Sequence, residues 1–302
     1  MIWLLLPGAL LTAAGCSEIS ASMPKTPDGT VEYVAAELAE NRPNVAWRAL
    51  PASYRKDVSD LVHEFADQVD RELWNKSVDL IRKLTRVLEE KKTFILDHPT
   101  LAQQITDRAE TEKNWDSVVE ILNTLLESEI CDLDKLRTID IDRWTSKTGV
   151  KVMNQMSQAS ALSAENPWKN RFKSRLRSVR ASVVKSDGHM ATLRIESDAE
   201  PAHEELFVRV EDRWVPKEMA DAWDAKISEA KQNLAAMSTA TIAEHKQQVL
   251  MTLGMVDGIL NTLLEADTAE QFHNSVNQVL PKIMMGMMGG AVGPPPPIAP
   301  GS

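Results

Sequence analysis

Residues 179–217 read VRASVVKSDGHMATLRIESDAEPAHEELFVRVEDRWVPK, and this stretch decides the fold because it is the one convincing β-patterned region of the chain. Val183-Val184 and Ala191-Thr192-Leu193-Arg194-Ile195 flank Asp187-Gly188, a pair that readily takes the positive φ angles of a tight two-residue turn, so a hairpin is predicted here. A second hairpin follows. Leu206, Val208 and Val210 alternate with Phe207 and Arg209, Glu211-Asp212-Arg213 makes the turn, and Trp214-Val215 starts a short strand that Pro216 ends. Such a meander leaves one face apolar, and only the helix-patterned segments on either side can cover it. The predicted class is α+β and predominantly helical, a helical bundle packed on one small antiparallel β-meander at 179–217.

Upstream of the sheet, Thr26-Pro27-Asp28 has the order of an N-cap, a first-turn proline and an acid at the positive end of a helix. Val31, Val34 and Leu38 make its buried face, and Asn41-Arg42-Pro43 stops it. A short segment with Trp47 and Leu50 leads to Pro51 and Ser53, with Ser53 read as the N-cap of a long helix whose stripe is Val58, Leu61, Val62, Phe65 and Val69. The stripe resumes after Asp70 with Leu73, Trp74, Ile81, Leu84 and Leu88, until His98-Pro99 breaks it. Ile105 to Leu126 and Trp144 to Met156 mark further helices, and Asn166-Pro167-Trp168 is the expected joint between bundle and sheet.

Downstream, Met219, Trp223, Ile227, Ala230, Leu234 and Met237 recur at the spacing of a helix seam. Thr241 to Glu244 and Asp267 to Glu270 have capping-box spacing for two more helix starts. One domain is expected from 26 to 288, and the tail at 289–302, with Pro294 to Pro297, is too poor in core-forming residues and is read as disordered. The heptapeptide ILNTLLE at Ile121 to Glu127 recurs letter for letter at Ile259 to Glu265, with Val118 and Val256 in the same register. A duplicated helical hairpin explains this, and so do two amphipathic helices built from common helix-forming letters.

A net charge of −10 argues against nucleic-acid binding, because neutralising phosphates requires a basic face. Two cysteines, Cys16 and Cys131, give no disulfide framework. Cys131, between Ile130 and Leu133, reads as a small core residue.

Ile2 to Leu11 is an apolar run too short to span a bilayer as a helix, and it leads into Leu11-Thr12-Ala13-Ala14-Gly15-Cys16. This resembles the lipobox of bacterial lipoproteins, with Ala13 where that motif usually has Leu and no basic residue before the run. The resemblance implies cleavage of residues 1–15 as a signal peptide and lipidation of Cys16, and Ser17 implies sorting to the outer membrane on the periplasmic side. An ordinary secretory signal and a buried apolar amino terminus are the other two readings. Residues 16–25 are small and polar and read as a tether.

The scan for chemistry finds no catalytic set. Ser53-Tyr54-Arg55-Lys56 with Lys147-Thr148-Gly149 superficially resembles the motifs of penicillin-binding proteins and β-lactamases, but the Lys-Thr-Gly lies in a helix-patterned region and the only Ser-x-Asn, Ser275 to Asn277, follows it. His63-Glu64 lacks the second histidine of a zincin helix, and Asp132, Asp134, Asp140 and Asp142 lack the glycine and terminal glutamate of a calcium loop. No cofactor is implied. Two features keep functional weight. Lys169, Arg171, Lys173, Arg175, Arg177 and Arg180 form a basic run, of which Arg171, Lys173, Arg175 and Arg177 are candidate contacts to an anionic envelope polymer; a solvated strand face is the plainer reading. Met284-Met285-Gly286-Met287-Met288 offers thioethers that suit Cu(I), or an apolar helix end.

The order of an early helix from Thr26, Trp47-Arg48-Ala49-Leu50-Pro51, further helix and a meander closing on Arg213-Trp214-Val215 resembles extracytoplasmic NTF2-like domains over residues 26–70 and 176–220. The resemblance implies helices packed into a curved sheet around a pocket. The reading that follows is a lipid-anchored envelope protein acting as a non-catalytic interaction or scaffolding module, with membrane contact through Cys16 and a further envelope protein or anionic polymer as partner. Small-ligand binding in an NTF2-like concavity is the first alternative and an envelope enzyme the second.

Overall fold

The structure, a computed structural model, describes residues 23–161, 167–198, 200–236 and 239–289, with side chains at 159–172, 237–244 and 280–289 outside that description. It is predominantly helical with one four-stranded antiparallel sheet, as the sequence predicts. The strands β1 (Arg180–Ser186), β2 (Met190–Ser197), β3 (Glu200–Val210) and β4 (Arg213–Pro216) lie in sequence order. Edge strand β1 carries an irregularity between Val183 and Lys185, a break in register that discourages pairing with another edge.

The first turn is centred one residue later than predicted. The Asp187 N–H donates to the Met190 carbonyl at 3.1 Å, so Gly188-His189 is the central pair, and Gly188 alone of the turn takes a positive φ, 90°. The reason is the Asp187 carboxylate, which accepts from the N–H groups of His189 (2.9 Å) and Met190 (2.7 Å) and so acts through its side chain rather than a left-handed backbone. The second turn, Glu211-Asp212 inside the Val210–Arg213 pair, places Glu211 at φ 55°.

Helix α1 (Pro27–Ala39) begins as predicted, with Thr26 Oγ1 accepting from the Gly29 N–H at 3.3 Å, and crosses one face of the sheet. Ala191, Leu193, Phe207 and Trp214 fill that face together with Val31 and Ile195. Trp214 Nε1–H donates to the Lys25 carbonyl at 2.9 Å. Asn41, at φ 62°, turns the chain out of α1; its side chain donates to Asn154 Oδ1 (2.7 Å) and accepts from Ser157 (2.8 Å), so the helix end is fixed against a distant helix.

The bundle continues with α2 (Asn44–Ala49), α3 (Ala52–Gln68), α4 (Arg71–Glu90), α5 (Lys92–Leu96), α6 (Pro99–Ala102) and α7 (Arg108–Leu126). Short helices α8 (Leu133–Leu136) and α9 (Ile141–Trp144) lead through a wide π turn at Thr145–Gly149 into α10 (Val150–Ala161). A core of Ala66, Leu133, Leu136 and Ile139 joins α3 to this region, with Phe65, Trp74 and Trp144 packed on it.

Ser53 is not the N-cap of α3. Pro51 occupies that position and has no side chain to offer, so the helix end is satisfied from the sheet: Glu211 accepts from the N–H groups of Ala52 (2.8 Å) and Ser53 (3.1 Å). Beyond 166 the basic run is helical, not extended, since α11 (Pro167–Ser178) opens on a proline at its first position and β1 starts only at Arg180.

After the sheet come α12 (Lys217–Ala236), α13 (Thr239–Glu265) and α14 (Ala269–Gly289). Helix α13 begins two residues before the expected Thr241. For α14 the cap is Thr268, accepting from the Gln271 N–H at 3.2 Å, while Gln271 reaches back to the Asp267 N–H at 3.0 Å; the predicted box is displaced by one residue. Leu80, Val87, Leu260, Ala266 and Phe272 form the core that joins α4, α13 and α14.

From β4 onward, the late elements close on the early ones in order. Trp214 bonds Lys25, Arg213 the Arg48 carbonyl, Trp223 Asp57, Lys246 Asp70, Asp257 Lys83, Lys91 the Ala266 carbonyl, and His273 the Phe94 carbonyl. Each pair spans between 165 and 189 residues.

Candidate functional site

Cys16 and the tail beyond Gly289 lie outside the described residues, as do the side chains of Arg171 and of Met284 to Met288, whose backbone continues α14. Lys173, Arg175 and Arg177 lie on α11, which packs against α1 and β2. Arg175 pairs with Glu200 of β3, and Arg177 with Glu40 at 3.0 Å. That hydrogen bond, reinforced by the charge of Arg177, holds the Glu40 carboxyl below its ordinary range. Two of the four candidate contacts thus hold α11 to neighbouring elements, while about half of each guanidinium side chain stays open, 44% and 59%. Pairs this exposed contribute little to stability.

The clefts near the sheet open beside this helix. One of about 680 Å³ is lined by Ser174, Arg177, Arg180, Glu196, Asp198 and Glu200, and one of about 290 Å³ by Leu176, Val179, Ile195, Pro201 and His203 among others. Both bases and acids line the larger one, so it has no uniform sign to select an anion. The sheet face toward α1 carries Leu193, Phe207 and Trp214 as buried side chains, with Val31 packed on them.

Among the described residues no group of three or more His, Cys, Asp or Glu side chains is placed to hold a metal ion. His63 bonds the Ile139 carbonyl through Nε2 at 3.1 Å. Asp132 and Asp140 cap α8 and α9, and Asp142 pairs with Arg48 at 2.7 Å. Lys147-Thr148-Gly149 forms part of the π turn. Cys131 is free and half-buried, and burial pushes its thiol pKa up, away from the reactive thiolate.

The least expected surface lies on α4. Ile81 and Leu84, read from the sequence as part of a buried stripe, are 44% and 43% exposed. With Leu80, Val256, Ile259, Leu260, Leu263, Val276 and Val279 they line an almost wholly apolar groove of about 370 Å³ between α4, α13 and α14. On the other flank of α4, α7 leaves Val118 exposed. The two ILNTLLE copies therefore end the two helices that border α4. They are not equivalent in packing: the first buries Thr124 and the second Leu260, two positions apart in the repeat. A signal for this groove was present in the sequence, since Val249 to Leu264 contains one charged residue, Asp257, and that residue pairs with Lys83 at 2.6 Å. No protein-family model matches the chain, and neither the curated proteins nor the solved structures contain a significant match.

Proposed function

We propose that this chain is a lipid-anchored cell-envelope protein, held on the periplasmic side of a membrane, the outer one by the identity of Ser17, and acting as a non-catalytic interaction module. The observation that carries this reading is where the fold takes hold. Thr30 Oγ1 donates to the Pro24 carbonyl at 3.1 Å and Trp214 to the Lys25 carbonyl at 2.9 Å, so the body is gripped from Pro24 onward, just after the residues expected to form a tether. From Cys16 to Pro24 the chain reaches at most about 29 Å, which keeps the body beside the bilayer. Each buried acyl methylene contributes about 0.8 kcal/mol, so several chains on one cysteine suffice for residence. The open halves of Arg175 and Arg177, with Lys173, are then free to meet an anionic polymer at short range.

Metabolic labelling with a radioactive fatty acid tests the anchor. The wild-type chain is expected to take up label and fractionate with membranes, and Cys16→Ala to lose both; an unlabelled wild-type chain refutes the reading.

A further inference from the structure

We propose that the β1–β2 hairpin is a membrane-contact surface, laid on an anionic bilayer with its apolar residues among the headgroups and its bases against the phosphates. The proposal rests on residence at a membrane, and the hairpin's contact is separable from the lipid anchor.

Charge comes first. Between Pro167 and Ile195 stand eight Lys or Arg residues and one acid, Asp187, in a chain whose net charge is −10. Helix α11 packs against β2, so bases that cluster in sequence also cluster in space. Asp187 is engaged inside the turn, accepting from the N–H groups of His189 and Met190. Arg175 and Arg177 have acidic partners, and Arg194 stands opposite Glu204 across the ladder. Lys185, on exposed β1, forms no ion pair among the described residues. The rest of the chain is more acidic than the whole, and a charge distribution this lopsided turns its basic end toward an anionic surface.

Apolar exposure narrows the occupant. Val183, Val184 and Met190, on either side of the turn, are 43%, 53% and 42% exposed, and Leu206, on the same sheet face as Met190, is 39% exposed. Bases beside open apolar side chains are the chemistry of an interfacial element, whose apolar part sinks to the boundary between headgroups and acyl chains. A soluble polyanion matches the bases and leaves Val184 and Met190 in water. Phosphate headgroups over acyl chains match both.

The tether permits the contact. Trp214, which bonds the Lys25 carbonyl, lies opposite Arg209, and the Arg209 N–H donates to the His189 carbonyl at 2.8 Å. The chain thus enters the body at the turn end of the sheet. Two strand spacings, about 10 Å, separate that point from β2, well inside the tether's reach of about 29 Å. Exposed charges are screened beyond about 8 Å at physiological salt, so the contact should loosen as salt is added.

The test is fluorescence of the purified full chain in vesicles of phosphatidylethanolamine and phosphatidylglycerol that contain a doxyl-labelled lipid. In a Cys131→Ser background, a nitrobenzoxadiazole on Met190→Cys is expected to shift to the blue and to be quenched several-fold more than the same label on Lys226→Cys, on the exposed side of α12. The difference should shrink in vesicles of phosphatidylcholine alone, and Lys185→Glu should reduce it several-fold, with circular dichroism checking the fold. Equal quenching at the two positions overturns the proposal. A Met190 signal that appears with soluble peptidoglycan fragments and not with vesicles also overturns it, in favour of a polymer. Intact mass of the same preparation reads the anchor separately: quenching without added acyl mass upholds the hairpin and sinks the anchor, and acyl mass without quenching does the reverse.

Discussion

Glu211 combines two roles that pull against each other. Its backbone sits at φ 55°, a region that β-carbon sterics make unfavourable for residues other than glycine, while its carboxylate supplies the missing cap of α3. Bonds from Ser53 and from the Ala52 N–H hold its pKa below the ordinary carboxylate value. Substitutions separate the two effects. Glu211→Ala loses the cap and keeps the backbone strain; Glu211→Gly loses the cap and relieves the strain; Glu211→Gln keeps the strain and a weaker, uncharged acceptor. Urea midpoints should fall in the order wild type, then Glu211→Gln, then Glu211→Ala, with Glu211→Gly above Glu211→Ala. If Glu211→Ala matches the wild type, the cap contributes nothing.

At the scale of the element, α13 is held to α4 by a narrow seam. Leu260, 6% exposed, is its apolar centre, and Leu260→Ala should cost about 2–5 kcal/mol in chemical denaturation. The seam's ends are electrostatic. Asp257 is held below the ordinary value of 3.8 first by its bond from Lys83, and Asp70 first by the Leu73 N–H and then by Lys246. A depressed native pKa means that the stabilisation is whole above the unfolded value and is lost as pH falls through the native one. Stability should therefore drop on acidification below about pH 4, and Asp257→Asn should shrink the drop, read as urea midpoints against pH. A pH profile unchanged by Asp257→Asn removes this account.

The same seam shows what was legible in the sequence and what was not. Period-2 alternation gave the strands, and the Thr26 cap gave the start of α1, because both are local. The basic residues from Lys169 to Arg177 recur at every second position, a spacing that fits a solvated strand face, and Pro167 at the first helical position is the competing signal that α11 obeys. Ile81 and Leu84 lie on a stripe with the right period to be buried, but the stripe is wider than its neighbours cover, and coverage is a tertiary quantity. The cap from Glu211 on α3 is equally non-local, Ser53 and its acceptor being separated by 158 positions. Of the candidate site, the basic residues were named and their acidic partners Glu40 and Glu200 were not, because nothing in spacing links α11 to α1 or β3.

For the whole molecule, the ordered pairing of early helices with late ones sets when the fold can form. Contacts of long sequence separation must close large loops before they stabilise anything, which slows folding. A chain made from its amino end has produced α1 to α5 well before Trp214, Lys246, Asp257 or His273 exists to receive them. Until the last third emerges, α3 can pack on α8 and α4 on α7, but the bonds that tie the early elements to the late ones are missing. The wiring that makes this protein slow to close therefore leaves its amino-terminal helices untied to its carboxy-terminal ones until synthesis is nearly complete.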